Sequence, residues 1–169
     1  MDTSVKWTGG NLTELYQAFS SRFDNSGIWM FSVHGFSIYA VTHPKMYEYL
    51  PSDSEELQKL PHHQAGFQFV IRNENSRKII KWYVLCALEE NCMRPRGAIL
   101  TQCIKPKIPS DQWYHCHRFD QSAINILMAN QYDFNFDHFS APRLQTRGGF
   151  FYIARGQVKP YDKVPMCRK

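Results

Sequence analysis

Residues 113–127 read WYHCHRFDQSAINIL and carry the strongest local signal in the chain. Two aromatic residues and two histidines lead through Arg118 to an acid–amide pair, Asp120 and Gln121, which opens an apolar run with helical spacing. Asp120 is predicted to cap this helix by accepting hydrogen bonds from the free N–H groups of its first turn. A helix N-terminus of this composition suits a polar or anionic ligand. An ordinary capped helix beneath a surface loop would show the same pattern.

Length and composition place the chain among globular proteins with one core. It has 169 residues, which is enough for one domain and too few for two comfortable ones. Hydrophobic residues make up 43% and aromatic residues 15%, which excludes an intrinsically disordered chain. The formal charge is +5, but the Lys and Arg residues are scattered. We therefore expect no nucleic-acid partner, because nucleic-acid binders concentrate their cations on one face or in arms.

The cysteines and the apolar pattern bear on the cellular compartment. No apolar run approaches the length of a transmembrane helix, and no signal peptide opens the sequence. Four of the five cysteines lie in one region, and their spacing lacks the close CxxC pairs of a zinc site. Disulfide bonds in an oxidising compartment are the better interpretation. The candidates, whose pairing the sequence leaves open, are Cys86, Cys92, Cys103 and Cys116.

Asn11 carries two competing signals. Together with Thr13 it forms an acceptor sequon for N-glycosylation, which fits the secretory pathway. Asn11 followed by Glu14 also fits a capping arrangement for a short helix. The buried stripe of that helix would contain Leu12, Leu15, Tyr16 and Phe19. The side chain of Asn11 cannot freely serve as both cap and glycan site, so the two predictions conflict.

Turn residues and periodicity predict short strands and helices within one domain, with no linker and no internal repeat. In chain order we expect a strand that ends near residue 7, a turn at Gly9 and Gly10, a hairpin of 27–31 with 36–41, a helical turn from Pro44, a short helix capped within 52–56, a strand within 65–72, a helix over 77–90 and a late strand over 149–154.

The helix predicted over residues 77–90 is the clearest amphipathic segment. Its buried face is expected to hold Ile79, Ile80, Tyr83, Val84, Ala87 and Leu88. Its charges oppose the helix dipole, because cations come early and acids late, at Arg77, Lys78, Lys81, Glu89 and Glu90. Each such placement costs from a few tenths to about 1 kcal/mol. A solvated surface helix tolerates that cost, and this is the interpretation that we prefer.

Familiar catalytic motifs do not occur in the sequence, which has no GxSxG, HExxH, Walker loop or GxGxxG. His115 and His117 alternate, so in an extended segment they share a face and could bind a metal together with Asp120. Isolated HxH pairs are common, and this signal is weak. Cys116 stands among histidines as a catalytic nucleophile would, but a cysteine among several in an oxidising setting is more often bridged.

Four blocks of the sequence carry a family resemblance. They are MDTSVKW at 1–7, THPKMYEYLP at 42–51, IKWYVLCALE at 80–89 and CHRFDQSAINIL at 116–127. In this order they resemble a family of invertebrate secretory-pathway proteins that is filed as a domain of unknown function. That family is itself similar to GT-A glycosyltransferases. Four ordered blocks spread over most of the chain are much more specific than any one of them.

The resemblance implies a fold and a compartment. The fold would be α/β, a mixed sheet with flanking helices, corresponding to the C-terminal part of a GT-A-like (nucleotide-diphospho-sugar transferase) fold. Residues 1–169 would form a single domain that is incomplete at its N-terminus, so that some strand edges stay uncovered and need a partner. The protein would belong to the Golgi or the secretory pathway, with membrane attachment only through a missing N-terminal anchor.

The resemblance also implies a metal site. Asp2-Thr3-Ser4 lies where GT-A enzymes carry an Asp-x-Asp strand end, whose carboxylates hold a divalent cation, Mn²⁺ or Mg²⁺. Here only Asp2 keeps a carboxylate, and a hydroxyl replaces the second one. A hard cation prefers several oxygen ligands, so Asp2 alone would hold it weakly.

The resemblance implies catalytic residues, Asp120 and Gln121, and sugar-binding residues at the start of the late helix. Asp120, Gln121 and Asn125 match an Asp-Gln-x-x-x-Asn pattern in which the acid and amide face the donor sugar. The adjacent cleft would be lined with aromatic rings for sugar faces and cations for phosphate, at Trp113, Tyr114, His117 and Arg118. Asp2 and Asp120 would then converge on one crevice.

Two functions are expected from these residues. The first is transfer of a sugar from a nucleotide-sugar donor to a glycan acceptor, or an inactive fragment of such an enzyme. The second is a non-catalytic carbohydrate-binding or interaction module that uses the same aromatic and polar surface without turnover.

Overall fold

The fold is known from a computed structural model. It describes residues 5–22, 26–99, 103, 111–141 and 151–155; of residues 5–10 and 151–155 only the backbone is described. The prediction is confirmed only in its coarse part: the described residues form a mixture of α-helices and short β-strands. The strands are β1 (Val5–Gly10), β2 (Ile28–Met30), β3 (Val33–Ser37), β4 (Pro61–His63), β5 (Gln68–Val70) and β6 (Phe151–Arg155). The α-helices are α1 (Leu12–Ser20), α2 (Ser54–Lys59), α3 (Glu74–Leu88) and α4 (Phe119–Gln131). Short 3₁₀ turns cover Tyr39–Val41, Pro44–Glu48 and Phe136–His138.

The strands pair differently from the prediction. Within the described residues they form three two-stranded antiparallel sheets, β1 with β6, β2 with β5 and β3 with β4, and not one mixed sheet. The turn predicted at Gly9 and Gly10 is also wrong, since both residues lie in β1.

The predicted hairpin of β2 with β3 is wrong because both edges of β2 are already occupied. β5 pairs with one edge. On the other edge, the N–H of Met30 donates to the C=O of Phe139 at 2.8 Å, and the N–H of Ala141 donates to the C=O of Met30 at 2.9 Å. All three residues of β2 are buried, so this strand is the centre of the described fold and leaves no edge for β3.

Helix α4 is the main element of the largest core cluster. Its residues 122–129 are all buried, so the helix is enclosed on every side and not only along one apolar face. The cluster also contains residues of α2, α3, β2 and the 3₁₀ turn Pro44–Glu48.

A second cluster joins Leu15 and Phe19 of α1 to Trp29, with the Phe19 and Trp29 rings stacked at 4.4 Å. The stripe predicted for α1 is therefore half right, because Leu12 and Tyr16 are exposed.

Capping residues begin the helices where local chemistry predicts. Asn11 caps α1 by accepting a hydrogen bond from the N–H of Thr13 at 2.8 Å. Asp53 caps α2 in the same way. Asn73 and Ser76 form a reciprocal capping box, so α3 begins at Glu74, three residues before the predicted start.

The buried face of α3 is rotated from the predicted one. Ser76, Ile79 and Cys86 are buried, whereas Ile80 and Val84 are exposed. The reason is that a disulfide from Cys86 and packing against α4 turn this side of the helix inward.

Two disulfides confirm the cysteine prediction and supply the pairing that the sequence left open. Cys86 pairs with Cys92, with Cα atoms 5.2 Å apart, and Cys103 pairs with Cys116 at 5.6 Å. Both bonds are compatible with a secretory or extracellular protein. Within the described ranges no helix is long and apolar enough to cross a membrane.

Candidate functional site

The segment that leads into α4, residues 111–118, is held in place by backbone hydrogen bonds and a disulfide bond. The N–H of Tyr114 donates to the C=O of Ala40 at 2.8 Å, and the N–H of Arg118 donates to the C=O of Val41 at 3.1 Å. The disulfide of Cys116 ties the same segment to Cys103. The residues that the sequence singled out are therefore held rigidly against the 3₁₀ turn Tyr39–Val41.

The entry segment contains two residues in the left-handed region of the backbone map. His115 has φ 55° and Phe119 has φ 44°. For residues with a Cβ atom this conformation is uncommon and costs on the order of 1–3 kcal/mol each. Such strain persists where surrounding contacts impose it, and it clusters at functional sites. The two strained residues, His115 and Phe119, flank the segment that contains His117 and Arg118.

The strain also explains why Asp120 does not cap α4. The chain turns into the helix at Phe119, with Arg118 at the N-cap position. The N–H groups of Gln121 and Ser122 already bond to the C=O of Arg118. Asp120 therefore lies within the first turn, where its exposed carboxylate interacts favourably with the helix dipole. The predicted cap is wrong by two residues.

His117 is an internal residue and does not line a cleft. Its Nδ1 accepts a hydrogen bond from the N–H of His43 at 3.0 Å, and its Nε2 donates to the C=O of Met93 at 3.0 Å. These bonds fix a neutral ring, and burial lowers the pKa of His117 to about 4. The expected substrate contact is thus unavailable. The HxH metal pair does not form either, since His115 is exposed and both nitrogens of His117 bond to protein.

Gln121 and Asn125 bind the backbone of β4. Gln121 Nε2 donates to the C=O of His63 at 2.8 Å. Asn125 is fully buried: its Oδ1 accepts from the N–H of His63 at 2.9 Å, and its Nδ2 donates to the C=O of the same residue at 2.9 Å. These amides therefore attach a strand to α4. The expectation that Asn125 touches a sugar is incompatible with its complete burial.

A stack of rings lies beside the start of α4. His62 is fully buried, with ring centroids 5.7 Å from His34 and 5.8 Å from Phe36. Its Nδ1 faces Gln121 Nε2 at 3.3 Å, and its Nε2 has no hydrogen-bond partner among the described residues. Burial lowers the pKa of His62 well below the usual value, with a smaller contribution from His34 and Arg118. The His62 ring is therefore neutral at pH 7.

Arg118 supplies a positive charge next to this stack, and Asp120 supplies a negative charge near Tyr83 of α3. The Arg118 guanidinium lies 5.9 Å from the centroid of the Phe36 ring, within cation–π range. Burial raises the pKa of Tyr83 to about 12, and the carboxylate of Asp120 adds to that shift. The start of α4 thus combines aromatic and imidazole rings with one cation and one exposed anion.

The two predicted aromatic residues lie on opposite sides of the entry segment. Trp113 is half-buried; its Nε1 donates to the C=O of Cys116 at 3.0 Å, and its ring contacts His43 edge to face at 5.1 Å. Tyr114, also half-buried, contacts the Phe36 ring at 6.4 Å. Only Tyr114 therefore joins the ring stack next to Arg118. Each still has part of its surface open to a ligand.

Asp2 lies outside the described residues, so its convergence with Asp120 stays a prediction. Within the described part of the chain, no group of three or more His, Cys, Asp or Glu side chains could hold a metal ion. Asp120 is therefore not part of a described cation site, and the prediction of Mn²⁺ or Mg²⁺ rests on Asp2.

A second concavity, which the sequence did not predict, lies between α3 and α4. This cleft of about 290 Å³ exposes two aromatic rings, Tyr49 and Trp82, on its rim. Its polar lining is Lys78, Asn130 and Gln131. Asn130 Nδ2 donates to the C=O of Pro51 at 2.9 Å, which fixes one wall. The cleft combines flat apolar faces with amide and ammonium groups.

Sequence reasoning missed His34, Phe36 and His62 because they come from strands far apart in the chain. The chain has seven histidines. This abundance of histidines was the one feature of the sequence that could have indicated the stack, since His34 and His62 both belong to it.

A scan of protein-family models, a search of curated proteins and a search of solved structures each found no match.

Proposed function

We propose that the chain is part of a glycosyltransferase-like protein that holds the donor sugar at the start of α4. The observation that carries the proposal is the position of Asp120. It is an exposed carboxylate in the first turn of α4, directly after a strained, disulfide-anchored segment and two residues after Arg118, whose guanidinium lies over the Phe36 ring of the stack. A carboxylate accepts hydrogen bonds from sugar hydroxyls, rings stack on sugar faces, and a guanidinium attracts a diphosphate. The expected partners are a nucleotide sugar and a glycan acceptor.

The chemistry assigns different roles to the neighbouring residues. Transfer breaks the bond between the sugar C1 and the phosphate oxygen, forms a bond from C1 to the acceptor oxygen and releases the nucleotide diphosphate. The acceptor's proton passes to a base. Asp120 would take that proton or stabilise the oxocarbenium-like centre. Gln121 would act as a positioning residue through β4, because its amide is bonded to His63.

Replacing Asp120 tests the proposal. We expect Asp120→Asn to weaken donor binding at least about tenfold, because a neutral amide loses charge-assisted hydrogen bonds to sugar hydroxyls. Binding would be measured by thermal shift against UDP-, GDP- and CMP-linked sugars, with and without Mn²⁺. The control is Glu55→Gln, which neutralises an exposed acid on α2. If no nucleotide sugar stabilises the protein, or if Asp120→Asn binds like the control, the proposal fails.

The cleft between α3 and α4 favours a second function, non-catalytic carbohydrate binding. Exposed Trp and Tyr rings on the rim of a cleft present flat apolar faces to pyranose rings, and neighbouring amides bond to hydroxyls. Tyr49, Trp82 and Gln131 supply these groups here. This function would need neither nucleotide nor metal.

A glycan-binding measurement separates the two functions. We expect Trp82→Ala to reduce binding of free glycans about tenfold or more if the cleft is the site, since it removes the stacking surface. Tyr16→Ala on α1, which also removes an exposed aromatic ring, serves as the control. Glycan binding that survives in Trp82→Ala but disappears in Asp120→Asn would locate the site at α4 and contradict the second function.

A further inference from the structure

Helix α3 exposes an unusual amount of apolar surface. Five of its large apolar side chains are exposed, with relative accessibilities of 39% for Ile80, 54% for Trp82, 47% for Val84, 43% for Leu85 and 78% for Leu88. A helix on the surface of a monomer normally turns polar residues outward. A concentration of exposed apolar side chains on one element marks an interaction surface.

The outward line of α3 has the spacing of a helix-pairing seam. Arg77, Lys81, Val84 and Leu88 follow one another at intervals of four, three and four residues, the alternation found along one side of a coiled coil. Ile79 and Cys86 lie on the opposite, buried side. The outward line is therefore cationic in its first half and apolar in its second half.

The charges along α3 are arranged with opposite signs at its two ends. A broad groove of about 1130 Å³ beside the first half is lined by Arg72, Arg77 and Lys81, together with the apolar Val70 and Ile80. Lys78, in the same groove, is paired with Glu74 at 3.0 Å. The far end of the helix is acidic, since Glu89 and Glu90 follow Leu88 and are exposed.

We propose that two copies of this chain associate through α3, with the two helices antiparallel about a two-fold axis. In that arrangement Leu88, Glu89 and Glu90 of one copy enter the cationic groove of the other, and the same contact recurs on the opposite side. Val84 and Leu85 of both copies meet in the middle. A parallel arrangement would place cations against cations and acids against acids, which the charge pattern disfavours.

The antiparallel pair also accounts for the charge order of α3. Glu89 and Glu90 lie at the C-terminal end of α3, where acids are unfavourable, and the first turn carries Glu74 ahead of Arg77, Lys78 and Lys81. Across the two-fold axis the acidic end of each copy faces the cationic half of the other, so the acids that are unfavourable in the monomer gain partners in the dimer. One helix and one groove per copy form a small interface, so we expect a dissociation constant on the order of micromolar.

Sedimentation velocity of the full chain tests this association. We expect the mass to double as the concentration rises from about 1 µM to about 100 µM. Leu88→Glu should keep the protein monomeric over that range. Leu88 is highly exposed, so its replacement leaves the core intact. Leu12→Glu is the matched control, because Leu12 is also an exposed leucine at 63% but lies on α1; this variant should dimerise like the wild type.

A charge exchange tests the orientation. Lys81→Glu and Glu90→Lys should each weaken the dimer about tenfold or more, because each places like charges opposite one another. The double variant should restore the dimer, because residue 81 of each copy again faces an opposite charge at residue 90 of the other copy. Added salt should also weaken the dimer. A protein that stays monomeric at every concentration overturns the proposal. The proposal is also overturned if the Leu88→Glu variant dimerises as strongly as the Leu12→Glu variant. A third contradictory result would be a monomeric protein that binds anionic vesicles through Leu88.

Discussion

Acidification from about pH 7 to about pH 4.5 is expected to lower the free energy of unfolding by at least roughly 5 kcal/mol, about 2 to 3 kcal/mol for each of His63 and His117, and the buried His62 acts in the same direction. Burial lowers the pKa of His63 and of His117 to about 4, against 6.5 in the unfolded chain. Below pH 6.5 the unfolded chain therefore binds more protons than the folded one. The contribution of these two rings to stability is highest above about pH 6.5, falls as the pH drops and levels off near pH 4, where both folded rings also protonate.

Hydrogen-bond geometry supports the same direction independently. His117 Nδ1 accepts from the backbone N–H of His43, so a proton on Nδ1 would point at a donor and break that bond. His63 Nε2 is bonded to the hydroxyl of Ser140 at 2.8 Å within the core. Charging either ring would leave a cation without water around it.

Urea unfolding at several pH values between 7 and 4.5 measures this effect. His117→Asn should reduce the pH dependence, because one of the buried histidines no longer titrates. His115→Asn makes the same replacement at an exposed position and should keep the wild-type slope. A slope that is equal in the two variants, or a wild-type stability that is constant over this range, would contradict the assignment.

Replacing Asn125 by Ala is expected to cost about 2–4 kcal/mol of stability, because the side chain holds β4 to α4 from a fully buried position. The N–H of His63 loses its acceptor and stays buried without one, and a small cavity remains. β3 already pairs with β4, so Asn125 acts as a second backbone-like partner for this strand. The loss would be read from chemical denaturation.

Asn130→Ala is the matched control for this replacement. Asn130 lies on the same helix, but it is exposed and bonds to the C=O of Pro51 at the surface. Its replacement should cost about 1 kcal/mol or less. If Asn125→Ala were as stable as Asn130→Ala, the structural role of Asn125 would be refuted.

Features fixed by short-range chemistry could be predicted from the sequence. Asn11 and Asp53 begin helices, since capping depends only on residues two or three positions away. The four disulfide cysteines could be predicted because their spacing excludes a close zinc motif. The pairing of these cysteines could not be predicted, because it depends on which of them lie close together in the folded chain, as Cys103 and Cys116 do.

Features set by tertiary contacts could not be predicted in the same way. Ile79 and Ile80 are adjacent and equally apolar, and nothing local indicates which one faces the core; α4 and the Cys86 disulfide decide it. At the site, the pattern at Gln121 and Asn125 correctly predicted a helix that begins with polar side chains. It could not tell whether these amides face a ligand or another strand of the same chain.

The position of β2 has a consequence for how the protein is made. Its two edges are filled by residues 68–70 and by residues 139–141, so the second partner leaves the ribosome long after the strand itself. Until then an apolar strand has one edge unpaired and open to other chains. Biosynthesis should therefore depend on protection of this edge during translation, and premature termination before residue 139 should yield aggregates and not a smaller soluble domain.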